Sequence, residues 1–378
     1  MASVSKRPDS KWRARYRDPE NKEHAKHFDR KVDAERWLVD QQQSVNAGTW
    51  IDPRKARQSL AEYAEAWLAR MTPTWRPGTG GAVKVSLQSH IIPALGERPL
   101  ASITRADVEA FAASLKLAPS SVGTVHQHLS QLLGAAVEDG LLSRNVASRA
   151  RLPKREASRA QPVPLEVVER IAEELPDWLR VAVPLGVGVG LRQGEASGLA
   201  LDRVDFLRRT LRVDQQLLSR YVDQPTLAPP KTASSHRTVP LAQFVVDALA
   251  DHLRRYPAQP GELVLRMPTG EPVDSDRFGH QWRPACKRAG VPGLRYHDLR
   301  HTFASTLLSR GVSVKAVGSW LGHASPVITL STYAHLMPAD EEVARAVLDE
   351  SLGLRPNDGS APVWAARTEG GPQTATGC

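Results

Sequence analysis

A chain of 378 residues exceeds what one ordinary hydrophobic core supports and points to two or three domains. Hydrophobic residues make up 41%, enough for packed cores, yet the longest apolar run, Val181 to Leu191, falls far short of the roughly 20 residues a membrane span needs, so no membrane protein is expected. Fifty Lys and Arg against forty-one Asp and Glu give a net charge of +9 and a pI near 9.7, a balance that suits a polyanionic partner.

The N-terminus has no apolar signal-peptide core, and two cysteines, Cys286 and Cys378, cannot build a disulfide framework, which fits a reducing cytoplasm. Residues 11–31 alternate apolar with basic side chains, as in Lys11-Trp12-Arg13-Ala14-Arg15-Tyr16-Arg17, turn at Asp18-Pro19-Glu20-Asn21 and resume towards Phe28. That pattern predicts a hairpin or three-stranded sheet, and Ala34, Trp37 and Leu38 at helical spacing predict one helix packed on it. So small a module has little core, so the basic face of its sheet is expected to bind something. After a polar connector over 48–55, helices are expected over Leu60 to Met71, Val83 to Ile92, Arg105 to Leu115 and Ser120 to Glu138. Thr104 is placed to cap the third with Asp107 in the capping-box position, and Val125, Leu129, Leu132, Leu133 and Ala136 stripe the fourth. His126 and His128, two apart on that helix, face different ways and do not suit a shared metal.

The stretch from Asn145 to Pro164 holds three prolines and no apolar periodicity. Arg144, Arg149, Arg151, Lys154, Arg155 and Arg159 lie in or beside it against the single acid Glu156, so it reads as a basic interdomain linker. The second half begins at Leu165, with helices expected over Leu165 to Leu175 and Leu179 to Gly188, strands over Thr210 to Leu217 and Thr238 to Leu241, and an amphipathic helix over Gln243 to Tyr256. Helices dominate again from Asp276 to Leu348, and the last twenty-odd residues, rich in Gly, Pro, Ala and Thr, read as a disordered tail.

Four stretches of this half carry groups suited to a phosphodiester. Gly190-Leu191-Arg192-Gln193-Gly194-Glu195 sets an arginine in a glycine-framed turn with an acid behind it. Lys231 follows two prolines and precedes Ser235-His236-Arg237-Thr238. In His297-Asp298-Leu299-Arg300-His301, His297 and Arg300 share one helix face. Finally Leu321-Gly322-His323 leads through Thr329 to Tyr333, a tyrosine followed by His335 and a candidate covalent nucleophile. His301, His335 and Trp320 read as packing or supporting groups, and Cys286 as a small buried hydrophobe.

Taken together these motifs resemble the catalytic domain of the tyrosine recombinases, the phage integrase family, whose signature is an arginine in G-L-R-x-G-E, a lysine on a β-hairpin, H-x-x-R, then L-G-H and a tyrosine about ten residues later. The order is matched throughout, over about 140 residues. The resemblance implies that Arg192, Lys231, His297, Arg300, His323 and Tyr333 are catalytic, with Glu195 in support. It also implies a multidomain, mainly α fold with small β-sheets. Residues 1–55 would be a sheet-plus-helix arm-type DNA-binding module, 56–148 a helical, SAM-like core-binding domain, 149–164 the basic linker, 165–352 a mixed α+β catalytic domain and 353–378 the tail. DNA contacts are expected from Lys11, Arg13 and Arg15 in front and from Arg149, Arg151, Lys154 and Arg155 in the linker.

The chemistry makes these residue types intelligible. A free phenol has a pKa near 10, so ionising it at pH 7 costs roughly 4 kcal/mol, and attack on a phosphodiester concentrates charge on the non-bridging oxygens. Two guanidiniums meet that charge with paired, planar donors that a lysine cannot reproduce. His297 and His323 can donate to the same oxygens or accept the phenol proton. The resemblance implies that Lys231 protonates the leaving 5′ hydroxyl and that Tyr333 holds the cut strand as a 3′-phosphotyrosyl ester. That ester conserves the bond energy for rejoining without a nucleotide. No cofactor or metal is expected, and the sequence shows no compelling carboxylate cluster for two-metal cleavage. The expected partners are double-stranded attachment-site DNA, further copies in a homotetramer on that DNA, and accessory DNA-bending or directionality factors. The final helix, Asp340 to Leu348, is expected to dock on a neighbouring subunit. The leading reading is an integrase of a phage or mobile element; a Xer-like resolvase and a non-catalytic DNA-binding regulator are the competing readings.

Overall fold

The structure, a computed structural model, describes residues 2–47, 50, 52, 57–154, 161–334, 345 and 348. Arg155, Arg159, His335 and the tail fall outside the described residues, as do most of the 48–55 connector and most of the 340–348 helix. The chain divides into two compact units, residues 1–158 with 218–224, and residues 159–217 with 225–378.

In the first unit, β1 (Ser3–Lys6), β2 (Trp12–Arg17) and β3 (Glu23–Phe28) form an antiparallel sheet in that order, and α1 (Lys31–Asn46) packs on it. The sheet is the three-stranded one of the two expected forms. Its turn is built by the expected residues: Asp18 Oδ1 accepts the backbone N–H groups of Glu20 and Lys22, and Asn21 takes φ +66°. The two-residue period of β2 turns Ala14 and Tyr16 into a core with Ala34 and Leu38, and leaves Arg15 and Arg17 exposed on the opposite face.

The same unit holds α2 (Leu60–Met71), α3 (Thr79–Ser86), α4 (Ile92–Leu95), α5 (Arg105–Ser114) and α6 (Pro119–Glu138). Capping boxes start α2 at Ser59 with Glu62 and α5 at Thr104 with Asp107. Instead of one helix over 83–92, α3 begins earlier and passes through a π-helical turn, Leu87–Ile91, into α4. Pro93 explains the turn, since it has no N–H and its ring crowds the carbonyl four residues back. The α6 stripe is fully inward: Val125, Leu129, Leu132, Leu133 and Ala136 are all buried. His126 and His128 bond separately, to the Ala147 carbonyl and the Ser86 hydroxyl. The expected linker starts too early. Residues 145–150 pack on the helices, because the Asn145 amide reaches the Ser130 carbonyl, its Oδ1 accepts from the Ala147 N–H, and Ala147 is completely buried. Such an irregular turn has no period by which a sequence could reveal it.

The second unit opens with α7 (Leu165–Glu174), α8 (Asp177–Arg180), α9 (Ala182–Val187) and α10 (Gln193–Ser197). The helix expected over 179–188 is broken, α8 ending at Arg180 where Pro184 cannot return a hydrogen bond. Strands β4 (Val204–Asp205), β5 (Thr210–Val213) and β8 (Arg237–Pro240) make one antiparallel sheet. A separate hairpin pairs β6 (Gln216–Leu218) with β7 (Thr226–Ala228), so the strand expected over 210–217 is two strands in two sheets. Then come α11 (Gln243–Arg255), α12 (Ser275–Arg288), α13 (Tyr296–Ser309), α14 (Val314–Leu321) and α15 (Pro326–Tyr333). At the centre is α13, with Leu299, Ala304 and Leu308 buried in a core that also takes Cys286 and Tyr333. Among the described residues no helix is long and apolar enough to cross a membrane.

Candidate active site

Every residue expected in the active site lines one cleft of about 710 Å³ in the second unit: Arg192, Lys231, His297, Arg300, His323 and Tyr333, with Glu195 among them. The cleft is made by the ends of secondary-structure elements. Arg192 is the N-cap of α10, where its backbone N–H donates to Glu195 Oε2 at 2.9 Å and its Nη1 to Oε1 at 2.8 Å. Just before it, Gly190 holds φ +71°, and a Cβ there would stand 2.6 Å from the Phe303 ring. The carbonyl so presented accepts a 2.6 Å bond from Arg300 Nη1. Arg300, only 2% exposed on α13, also donates to the Leu321 carbonyl and lies 3.9 Å from Glu195. Lys231 sits in the loop that follows β7, beyond the strand itself.

The L-G-H turn has an equally local cause. Gly322 ends α14 in the left-handed region, φ +66°, and the His323 N–H reaches back to the Gly318 carbonyl at 3.0 Å. His323 then points its Nδ1 at the buried Thr329 hydroxyl, 2.7 Å away. Tyr333, 2% exposed at the end of α15, places Oη 2.6 Å from His301 Nδ1. Tyr296 is no rival nucleophile, since it is buried in the core and bonds the Ala182 carbonyl.

Below the cleft lies Arg237 on β8, buried, gripping Glu195 with both Nη atoms at 3.0 and 2.7 Å and donating from Nε to the Trp320 carbonyl at 2.5 Å. One carboxylate therefore faces three guanidiniums. Burial alone would raise the pKa of Glu195, but the bonds and charge of Arg237, with Arg192 and Arg300, hold it at about 2. The surplus is positive. Burial first, and then the cationic neighbours, pull His323 down to about 4, and the same causes do so for His297 although part of its surface stays exposed, so both rings are neutral at pH 7. Burial pushes Tyr333 up to about 12 although Arg300 draws it down, so a bare phenolate at pH 7 would cost about 7 kcal/mol in this state. The arrangement is suited to an anion, and it keeps the phenol protonated at pH 7.

Comparison with known proteins agrees with this geometry. Residues 163–340 match the phage integrase family, 60–152 the phage integrase central domain and 2–47 the phage integrase N-terminal domain. The chain belongs to the phage integrase family. It is a tyrosine-type site-specific recombinase, an integrase of the phage and mobile-element kind. The putative prophage phiRv2 integrase of Mycobacterium tuberculosis is 26% identical over 348 residues, covering 88% of this chain and 91% of that one. Among solved structures, the Tn1549 transposon integrase in complex with a circular intermediate DNA shares the fold at TM-score 0.67 and 20% identity, over 78% of this chain and 99% of that one. A lambda integrase tetramer bound to a Holliday junction does so at TM-score 0.54 and 20% identity, over 85% and 96%.

Two side chains of this integrase's site escape the motif reading. His301, a packing or supporting group on the sequence pattern, lines the cleft and is bonded to the tyrosine hydroxyl. Its position four after His297, on the same helical face, is the signal that could have found it. Arg237 shares the inward face of β8 with Val239, and an arginine at an apolar register position is the hint there. The residues expected to touch DNA lie in the first unit. Arg13 and Arg15 project from β2, Lys11 precedes it, and Arg149, Arg151 and Lys154 are exposed in the stretch that follows α6. Arg151 is anchored there by its backbone N–H to Glu109 at 2.9 Å.

Proposed function

We propose that this integrase cuts and rejoins duplex DNA through Tyr333, with Arg192 and Arg300 gripping the scissile phosphate. The observation that carries the reading is the convergence of six separated residues on one cleft, two of whose guanidiniums, with Arg237 beneath them, face a single carboxylate. Tyr333 Oη attacks phosphorus, the 5′ oxygen leaves with a proton from Lys231, and the strand remains on Tyr333 as a 3′-phosphotyrosyl ester. Arg192 and Arg300 meet the charge that develops on the non-bridging oxygens; losing one such donor typically costs about 3–4 kcal/mol of transition-state stabilisation. His323 serves as a donor when the Thr329 hydroxyl donates to its Nδ1, leaving the N–H on Nε2. His297 adds a second neutral donor at the mouth. Glu195 keeps the arginines apart and oriented.

DNA is the substrate in this reading, and the lambda and Tn1549 relatives, solved on DNA, support it. The front module takes arm-type sites through the Lys11, Arg13 and Arg15 face. The helical part and the basic residues 149–155 take the core site, as four copies assemble on two duplexes with accessory factors, in the cytoplasm. A shortened protein beginning near Leu60 then keeps core-site cleavage and loses arm-site binding. The test is a nicked attachment-site duplex whose short 5′ fragment diffuses away after cleavage. Wild type accumulates a covalent protein–DNA band, and a Tyr333→Phe protein that still forms it would overturn the assignment.

A further inference from the structure

The phenol that must lose its proton already has an acceptor. His301 Nδ1 stands 2.6 Å from Tyr333 Oη, and among the described residues no other side chain is bonded to that oxygen. The His301 ring is held edge-on to the His297 ring at 4.8 Å and tilted against the Tyr333 ring at 5.8 Å, so its position is fixed on two sides. His323, by contrast, has its Nδ1 engaged by Thr329. We propose that His301 is a catalytic residue of this integrase, the general base that takes the Tyr333 proton during cleavage and returns it during rejoining. The proposal rests on the reading of Tyr333 as nucleophile.

As the Oη–P bond forms, the Oη–H bond breaks and its proton passes to Nδ1, giving an imidazolium, while the P–O5′ bond breaks and O5′ takes a proton from Lys231. In rejoining, the incoming 5′ hydroxyl attacks phosphorus and gives its proton to Lys231, and the imidazolium restores the proton to Oη. No oxidant, metal or further reactant enters. The charged and titratable groups around the ring are Arg295, His297, Asp298 and Arg300 on its own helix, His323 from the L-G-H turn and Tyr333 on α15. Burial, aided by Arg295 and Arg300 and opposed by Asp298, keeps the free imidazole below its ordinary pKa, and in the tautomer with its N–H on Nε2 the Nδ1 lone pair accepts the phenol hydrogen. Transfer to a positioned imidazole of this kind is worth about 10²–10⁴-fold in rate.

The test uses the full chain on the nicked attachment-site duplex, with either oxygen or sulfur at the bridging 5′ position, and measures the single-turnover rate of covalent complex formation against pH. The proteins are wild type, Tyr333→Phe, Lys231→Ala, His301→Ala and His301→Asn. An asparagine oxygen near the place of Nδ1 can accept the phenol's hydrogen bond without carrying a proton away, so His301→Asn reads the base role even if His301→Ala is poorly folded. Expected are a loss of at least about 100-fold in both His301 variants and disappearance of the acid limb of the pH profile in His301→Asn. The sulfur substrate, whose thiolate leaves without a proton, should rescue Lys231→Ala but neither His301 variant. Activity of His301→Asn within about tenfold of wild type, with its pH profile unchanged, reduces His301 to a positioning contact. A faster His301→Ala makes the contact a restraint that parks the tyrosine. A covalent band from Tyr333→Phe defeats the nucleophile assignment, an outcome separate from either.

Discussion

Arg237 and Glu195 form a buried, doubly hydrogen-bonded ion pair beneath the candidate active site, with side-chain exposures of 4% and 3%. The pair joins β8 to the start of α10, and the bond from Arg237 to the Trp320 carbonyl adds the last turn of α14. Removing Arg237 takes its charge-assisted bonds from the buried Glu195 and leaves only Arg192 and Arg300 to balance that carboxylate, which typically costs about 1.5–3 kcal/mol. Arg237→Ala should therefore lose stability on that scale in urea unfolding at pH 7. It should also lose cleavage, because Glu195 is freed to pair more closely with Arg192 and Arg300. Retained stability in Arg237→Ala would mean that the pair contributes nothing net to the fold.

Gly322 carries a second prediction. Its φ of +66° is unfavourable for any residue with a Cβ, and the added atom would stand 3.1 Å from both the Ser234 carbonyl and Ser235 Cα. Backbone cannot swing aside as a side-chain tip can. Gly322→Ala should cost on the order of 1–3 kcal/mol in stability and slow single-turnover cleavage by displacing His323, while DNA binding in a gel-shift assay stays near wild type.

The pH dependence of stability follows from the same cluster. His297 and His323 have pKa values of about 4, below the ordinary histidine value, so between pH 6.5 and 4 the unfolded chain binds more protons than the folded one. Stability is therefore complete above about pH 6.5 and falls as the pH drops towards 4. Glu195 works in a lower window: its contribution is present above the ordinary carboxylate pKa and is lost only as pH falls towards 2. Thermal unfolding followed from pH 7 to 4 should show Tm declining, and His323→Gln should flatten part of that slope. A flat Tm across the range contradicts neutral rings in the folded state.

Much of this site is legible in the sequence, because Arg192, His297, Arg300 and His323 owe their places to local geometry. A glycine-framed N-cap, a one-turn spacing on a helix and a left-handed helix end all leave marks in the order of residues. The same holds for Thr104 with Asp107 and for the inward stripe of α6. Arg237 is not legible, since its role lies in a contact with Glu195 forty-two residues away. His301 is hidden differently: its spacing places it on the right face, but only the packing of α15 on α13 brings Tyr333 to it. The Asn145 turn and the breaks at Pro93 and Pro184 show the remaining limit, which is that irregular backbone has no period to read.

The front sheet offers a prediction about DNA. Arg13 and Arg15 project from β2 beside Glu23, which lies 3.3 Å from one guanidinium and 3.9 Å from the other. All three side chains are partly exposed, so these pairs are weak. If the basic face holds DNA, Arg15→Ala should weaken arm-site binding and reduce the slope of log K against log salt by about one. Glu23→Gln should act in the opposite direction, tightening binding because both arginines are then freed for the backbone. Fluorescence anisotropy at several salt concentrations measures both. Core-site cleavage should be untouched in either variant, since these residues belong to a different module from Tyr333. Equal effects of Arg15→Ala and Glu23→Gln would instead show that the substitutions disturb the sheet and not its charge.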